Sequence, residues 1–133
     1  MNTLATRRTA AAALLAGTTA LGLLTTTAPA NASGDDRVER TGQCSGSARW
    51  DLKVKTDNGG LEVEGEVDSN VNGQTWSWRI LHNGSVSARG TATTRGPSGS
   101  FSVERHITDL SGTDRVTFAA SRNGQTCRGS INF

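Results

Sequence analysis

Residues 50–67 read WDLKVKTDNGGLEVEGEV, and pairing them outward from a two-residue turn at Asn58-Gly59 decides the fold class. Thr56 then faces Leu61, Val54 faces Val63, Leu52 faces Gly65 and Trp50 faces Val67 on one side. Lys55 faces Glu62 and Lys53 faces Glu64 on the other. Because a strand alternates its side chains between two faces, this is one core face and one solvated charge ladder. Opposite charges across paired strands contribute roughly 0.2–1 kcal/mol per pair. Glu62, Glu64 and Glu66 are therefore read as ladder residues rather than as the paired carboxylates of a glycosidase.

The same chemistry recurs along the chain. Asn-Gly dipeptides begin at Asn58, Asn72, Asn83 and Asn123, between short runs rich in Val, Thr, Trp and Phe, and this is a strong hairpin signal. Around Asn123-Gly124, Ala120 faces Cys127, Phe118 faces Gly129 and Val116 faces Ile131. In two of these pairings, Leu52 with Gly65 and Phe118 with Gly129, a large group stands opposite a glycine and is placed to cover its backbone. At Asn83-Gly84 a two-residue turn would set Trp76, Trp78 and Ile80 against Thr91, Arg89 and Ser87. A three-residue turn, His82-Asn83-Gly84, pairs them instead with Gly90, Ala88 and Val86 and puts every apolar residue but Leu81 on one face. Strands are expected at 48–56, 61–68, 75–82, 85–92, 100–107, 115–122 and 125–133. About seven short strands without helical periodicity predict an all-β, antiparallel β-sandwich.

Ahead of this domain, Arg7 and Arg8, an apolar stretch over 10–24 and small residues at Ala28, Ala30 and Ala32 have the order of a cleavable, helical signal peptide. Cleavage is expected after Ala32, with Ala30 as the alternative, and the apolar stretch is too short to remain as a spanning helix. The arginine pair hints at the twin-arginine route, but Thr9, Ala10 and Ala11 lack the bulky apolar residues that follow such pairs, which favours general secretion. The expected organisation is a signal peptide at 1–32, a flexible polar lead at 33–42 and a β-sandwich at 43–133. The product would be secreted, extracellular and monomeric, with no membrane attachment after cleavage.

The chain has 14 basic and 12 acidic residues, and losing Arg7 and Arg8 leaves twelve of each. The basic surface that nucleic-acid binding needs does not survive processing. Residues 33–68 hold nine acids and five bases, whereas 69–133 hold three acids and seven bases, so two oppositely charged sheet surfaces are expected. The two cysteines, Cys44 and Cys127, are expected to form a structural disulfide in an oxidising compartment.

Candidate sites follow from the remaining chemistry. Trp76 and Trp78 share one side of a strand and form a possible ligand platform for a sugar, or for a cation such as Arg89, although a domain with three Phe and no Tyr needs tryptophan in its core. The turn-rich segment 93–99 offers Arg95 and Pro97 as a possible inhibitory or binding loop against a protease. Asp68, Asn70 and Asn72 match the first half of a calcium loop, but Arg79 stands where the closing glutamate should be. Only two histidines, His82 and His106, are present, and no Gly-x-Ser-x-Gly elbow occurs in a strand-to-helix context, which argues against an enzyme. No cofactor is expected.

Leu110 and the Gly112-Thr113-Asp114 turn leading into Val116 and Phe118, followed by a terminal Asn-Gly hairpin, resemble the corner before the penultimate strand of immunoglobulin-like domains. That resemblance concerns the fold, and the cysteine pair and central tryptophan of antibody domains do not map onto this spacing. The whole chain resembles the small secreted β-sandwich domains of high-GC Gram-positive bacteria, which implies export and no particular activity. The expected function is a non-enzymatic binding or structural module for an extracellular protein or carbohydrate. The alternatives are an inhibitor of an extracellular hydrolase, a protease or amylase, and then a calcium-dependent or carbohydrate-binding module.

Overall fold

The computed structural model describes residues 36–133; the expected signal peptide at 1–32 lies outside the described residues. Eight strands follow in order: β1 (Arg37–Gln43), β2 (Arg49–Asp57), β3 (Gly60–Asp68), β4 (Thr75–His82), β5 (Ser85–Thr93), β6 (Ser100–Thr108), β7 (Arg115–Arg122) and β8 (Gln125–Asn132). They make two antiparallel sheets, sheet A in the order β1-β2-β3-β6 and sheet B in the order β5-β4-β7-β8. The sheets pack as a sandwich, with β8 against β1 and β2, and β5 against β6. In each sheet the consecutive strands are joined by hairpins at β1-β2, β2-β3, β4-β5 and β7-β8, and the chain crosses between sheets at β3-β4, β5-β6 and β6-β7. Trp76 and Trp78 lie on β4, inside sheet B.

Three of the four Asn-Gly dipeptides make the hairpin turns. Asn58 and Gly59 have φ of 48° and 80°, Asn83 and Gly84 49° and 86°, and Asn123 and Gly124 46° and 77°. Positive φ at both central residues is the type I′ turn, whose twist matches that of paired strands. The fourth dipeptide, Asn72-Gly73, falls instead in the link from sheet A to sheet B. The first and last hairpins have the registers their alternation predicts, Trp50 with Val67 through Thr56 with Leu61, and Val116 with Ile131 through Ala120 with Cys127.

The middle hairpin differs. Its turn is the two-residue Asn83-Gly84, with His82 opposite Ser85 and Leu81 opposite Val86, and a bulge then leaves Ser87 without a partner. Beyond the bulge Ile80 meets Ala88, Trp78 meets Gly90 and Trp76 meets Ala92. An extra residue in the strand does what an extra residue in the turn was expected to do, bringing small apolar groups opposite the tryptophans. Val86, on the turn side of the bulge, goes to the outer face and is 51% exposed.

Residues 37–42 correct the expectation of a flexible lead. They belong to β1, which pairs with β2 from Arg37 with Lys55 to Gln43 with Arg49. Val38 is its one aliphatic contribution to the core, a single residue with no periodic signal. The Cys44–Cys127 disulfide, with Cα atoms 4.2 Å apart, ties the β1–β2 link to β8. Beside it the Ser45 N–H donates to Thr126 O at 2.8 Å, and Ser45 Oγ accepts the Thr126 N–H at 2.9 Å.

Leu52, Val54, Leu61, Val63 and Val67 of sheet A meet Trp76, Ile80, Val116, Phe118 and Ile131 of sheet B in the core. Burying each aliphatic or Phe side chain of this kind contributes roughly 1.5–3 kcal/mol. The glycines opposite large residues are filled across the sandwich rather than along the sheet. A Cβ on Gly65 would overlap the Phe118 ring, and one on Gly129 would overlap Trp50. Each ring thus lies on bare backbone of the facing sheet, and glycine is required there by close approach.

Candidate functional site

Antiparallel register assembles rows of side chains across the outer face of sheet B. One row runs Arg89, Arg79, Ala119, Arg128 over β5, β4, β7 and β8. The next runs Thr91, Ser77, Ser121, Thr126. These residues line an open concavity of about 840 Å³, with Val86 at its edge. At a strand spacing of about 4.8 Å the arginine row spans about 14 Å.

The electrostatics of this face are one-sided. Strands β4, β5, β7 and β8 contain five arginines and no aspartate or glutamate. Arg79 stands directly opposite Arg89, an arrangement that destabilises a sheet. Among the described residues, no ion pair joins Arg79, Arg89 or Arg128 to a carboxylate. Guanidinium groups bind carboxylate, sulfate and phosphate oxygens in bidentate fashion, and neighbouring hydroxyls can donate or accept. Sequence reasoning singled out Arg89 but missed Arg79 and Arg128. They are far apart along the chain and become one row only through the register of three strand pairs.

The expected ligand platform does not form. Trp76 and Trp78 point into the sandwich, 0% and 5% exposed, while Arg89 lies on the outer face. The cation over the Trp78 ring is Arg105 of β6, 4.9 Å from the centroid. Among the described residues neither buried indole N–H has an acceptor, a cost of about 1–3 kcal/mol each that the buried ring area must offset.

The other candidate segments are occupied by their own turns. Asp68 Oδ1 accepts the Asn70 N–H at 2.9 Å, while the Asn72 amide group lies against Gly96. Arg95 and Pro97 are exposed, but the loop closes on itself. The Arg95 N–H donates to Ser100 O, and Arg95 O accepts from Gly99 and Ser100. Thr94, 1% exposed, anchors the loop by donating through Oγ1 to Val71 O at 2.6 Å. Both main-chain groups of Arg95 are thus engaged within its own loop, in an antiparallel bridge to Ser100.

The strands of sheet A carry both signs, eight acids and six bases. The ladder pairs form as expected, Lys53 with Glu64 and Lys55 with Glu62 at 3.0 Å. Asp51 stands opposite Glu66, and both carboxyls are pushed up. Burial is the first cause at each; charge repulsion follows, from Glu39 at Asp51 and from Asp51 and Asp68 at Glu66. At one end of β4, His82 Nε2 donates to Asp114 Oδ1 at 2.5 Å, with side chains 9% and 1% exposed. Burial opposes the charged form of Asp114, but hydrogen bonds from His82 and the Leu110 amide outweigh it and hold the carboxyl below its ordinary range. This pair fastens the β6–β7 corner to the β4–β5 turn.

No protein-family model, curated protein or solved structure matches the chain.

Proposed function

We propose that the chain is an exported, non-enzymatic binding module that takes an anionic polysaccharide on the outer face of sheet B. The carrying observation is the row Arg89, Arg79, Arg128, unpaired with any described carboxylate and beside a row of four hydroxyls. Holding like charges together costs stability, and proteins tolerate such costs where a ligand relieves them. A sugar chain bearing carboxylates or sulfates presents anions and hydroxyls together, which suits the two rows. A protein partner is less well matched, since protein interfaces centre on buried aromatic and aliphatic anchors and the lining of this face offers Val86 as its one large aliphatic group. A neutral sugar is also less well matched, because the tryptophans that could stack on it are in the core. Export is supported by the sequence of residues 1–32 and by a disulfide that suits an oxidising compartment.

Affinity electrophoresis through gels containing a polyuronate, a sulfated glycan or a neutral glucan tests the reading. The acidic gels should retard the protein, less so as salt rises, and the neutral gel should not. Arg79→Ser should weaken retardation by about tenfold while leaving the fold as stable or more so, because it removes a like-charge pair. Equal retardation of wild type and of Arg79→Ser/Arg128→Ser, or no retardation by any acidic glycan, would overturn it.

A further inference from the structure

We propose that Asp57, Glu62 and His106, on the outer face of sheet A, bind a divalent transition-metal ion. Three adjacent strands supply them: Asp57 ends β2, and Glu62 of β3 stands directly opposite His106 of β6. One ligand atom from each lies within 4.8 Å of the other two. His106 Nδ1 is 3.2 Å from Asp57 Oδ2. Zinc takes nitrogen and oxygen ligands at about 2.0–2.2 Å in a tetrahedron, which requires donor atoms about 3–3.5 Å apart. The Asp57–His106 pair already has that separation. Glu62, whose Oε1 is 3.0 Å from Lys55, lies within 4.8 Å of both and has to turn from Lys55 to join them.

The donor chemistry narrows the ion. An imidazole with two carboxylates suits zinc, cobalt or nickel, whereas calcium and magnesium take oxygen ligands. Asp57 and His106 also border a shallow, open hollow of about 430 Å³ with the Asn58–Gly60 turn, which leaves solvent access for waters on that side. The strands hold the ligands on rigid backbone, and β6, at the sheet edge, leaves the site open to solvent. A second cluster, Glu62, Glu64 and Glu104, shares Glu62 but has no imidazole, so the two are separable by mutation.

The test is calorimetric titration of the purified protein with zinc chloride, with cobalt chloride absorption as a second readout. One ion per chain is expected. His106→Ala and Asp57→Asn should each weaken binding by tenfold or more, while Glu104→Gln should bind as wild type does. His106 is exposed, so its removal should leave the thermal melt without metal unchanged. Zinc bound equally by wild type and His106→Ala, zinc displaced by equimolar calcium, or no heat and no cobalt spectrum with wild type would each overturn the proposal. The arginine face lies on the other sheet, so either result leaves the polysaccharide reading to its own test.

Discussion

Replacing Asp114 with alanine removes a carboxylate that is 1% exposed and accepts hydrogen bonds from two elements. The His82 bond, at 2.5 Å and to a side chain only 9% exposed, is the larger loss. A bond to a charged group contributes about 1.5–3 kcal/mol, and the His82 N–H would be left without a partner. The Leu110 amide, 3.1 Å from Oδ2, belongs to an exposed residue, so water replaces the carboxylate there and the loss is about 1 kcal/mol. The Asn83 contact at 3.4 Å is too long to add much. The expected destabilisation is about 3–4 kcal/mol, read as a fall in urea midpoint at unchanged m. The folded carboxyl lies below its ordinary range, so the stability it confers is present above the unfolded aspartate value and lost as pH falls through the folded one. Wild type should therefore exceed Asp114→Asn at pH 5, and the two should converge towards pH 2. A loss under about 1 kcal/mol for Asp114→Ala, or parallel pH profiles for wild type and Asp114→Asn, would refute the assignment of this pair as the fastening of the corner.

The disulfide closes a loop of 83 residues in sequence, which in the chain-entropy model corresponds to about 4.5 kcal/mol. Cys44→Ala/Cys127→Ala should lose an amount of that order in urea, and hydrogen exchange should show β1 losing protection first; uniform loss across both sheets would contradict the clamp. Glu66, raised by burial and then by the Asp51, Asp68 and Glu64 charges, penalises the fold when ionised, a penalty that fades as pH falls through the raised folded value and is gone below the unfolded one. Glu66→Gln should therefore raise the melting temperature at pH 7 and do nothing at pH 3, and a gain of equal size at both would show that charge is not the cause.

How much of this was legible in the chain depends on where each signal lives. The Asn58 and Asn123 hairpins carry their register in alternating polarity next to an Asn-Gly turn, so sequence and structure agree pair by pair. The middle hairpin keeps Trp76, Trp78 and Ile80 on the predicted inner face but not its register, and Val86 leaves that face. An extra residue in the turn and a bulge at Ser87 bury the same tryptophans, and nothing about a serine says which occurs. Strand β1 was hidden because an edge strand with Val38 as its one core aliphatic has no hydrophobic period; its place is set by β2 and the disulfide. The tryptophan spacing established that Trp76 and Trp78 share a face, and only the packing of sheet A above them decided that this face is the interior.

Through this wiring the acids are segregated by sheet: the strands of sheet A hold eight acids with six bases, those of sheet B five arginines and no acid. The acid-rich first part supplies β2 and β3, while the base-rich remainder supplies all four strands of sheet B. The outcome is not two oppositely charged surfaces, since sheet A carries both signs, and each sheet holds an internal conflict. Arg79 faces Arg89 on one, and Asp51 faces Glu66 on the other. Packing alone would be better served by mixing the signs, since mixed pairs such as Lys53 with Glu64 stabilise the same sheet that Asp51 and Glu66 strain. If the conflicts serve ligands, Arg79→Ser and Glu66→Gln should both stabilise the unliganded fold, and only the arginine substitution should weaken retention by acidic polysaccharide. Loss of retention in Glu66→Gln as well would mean that the two faces do not act separately.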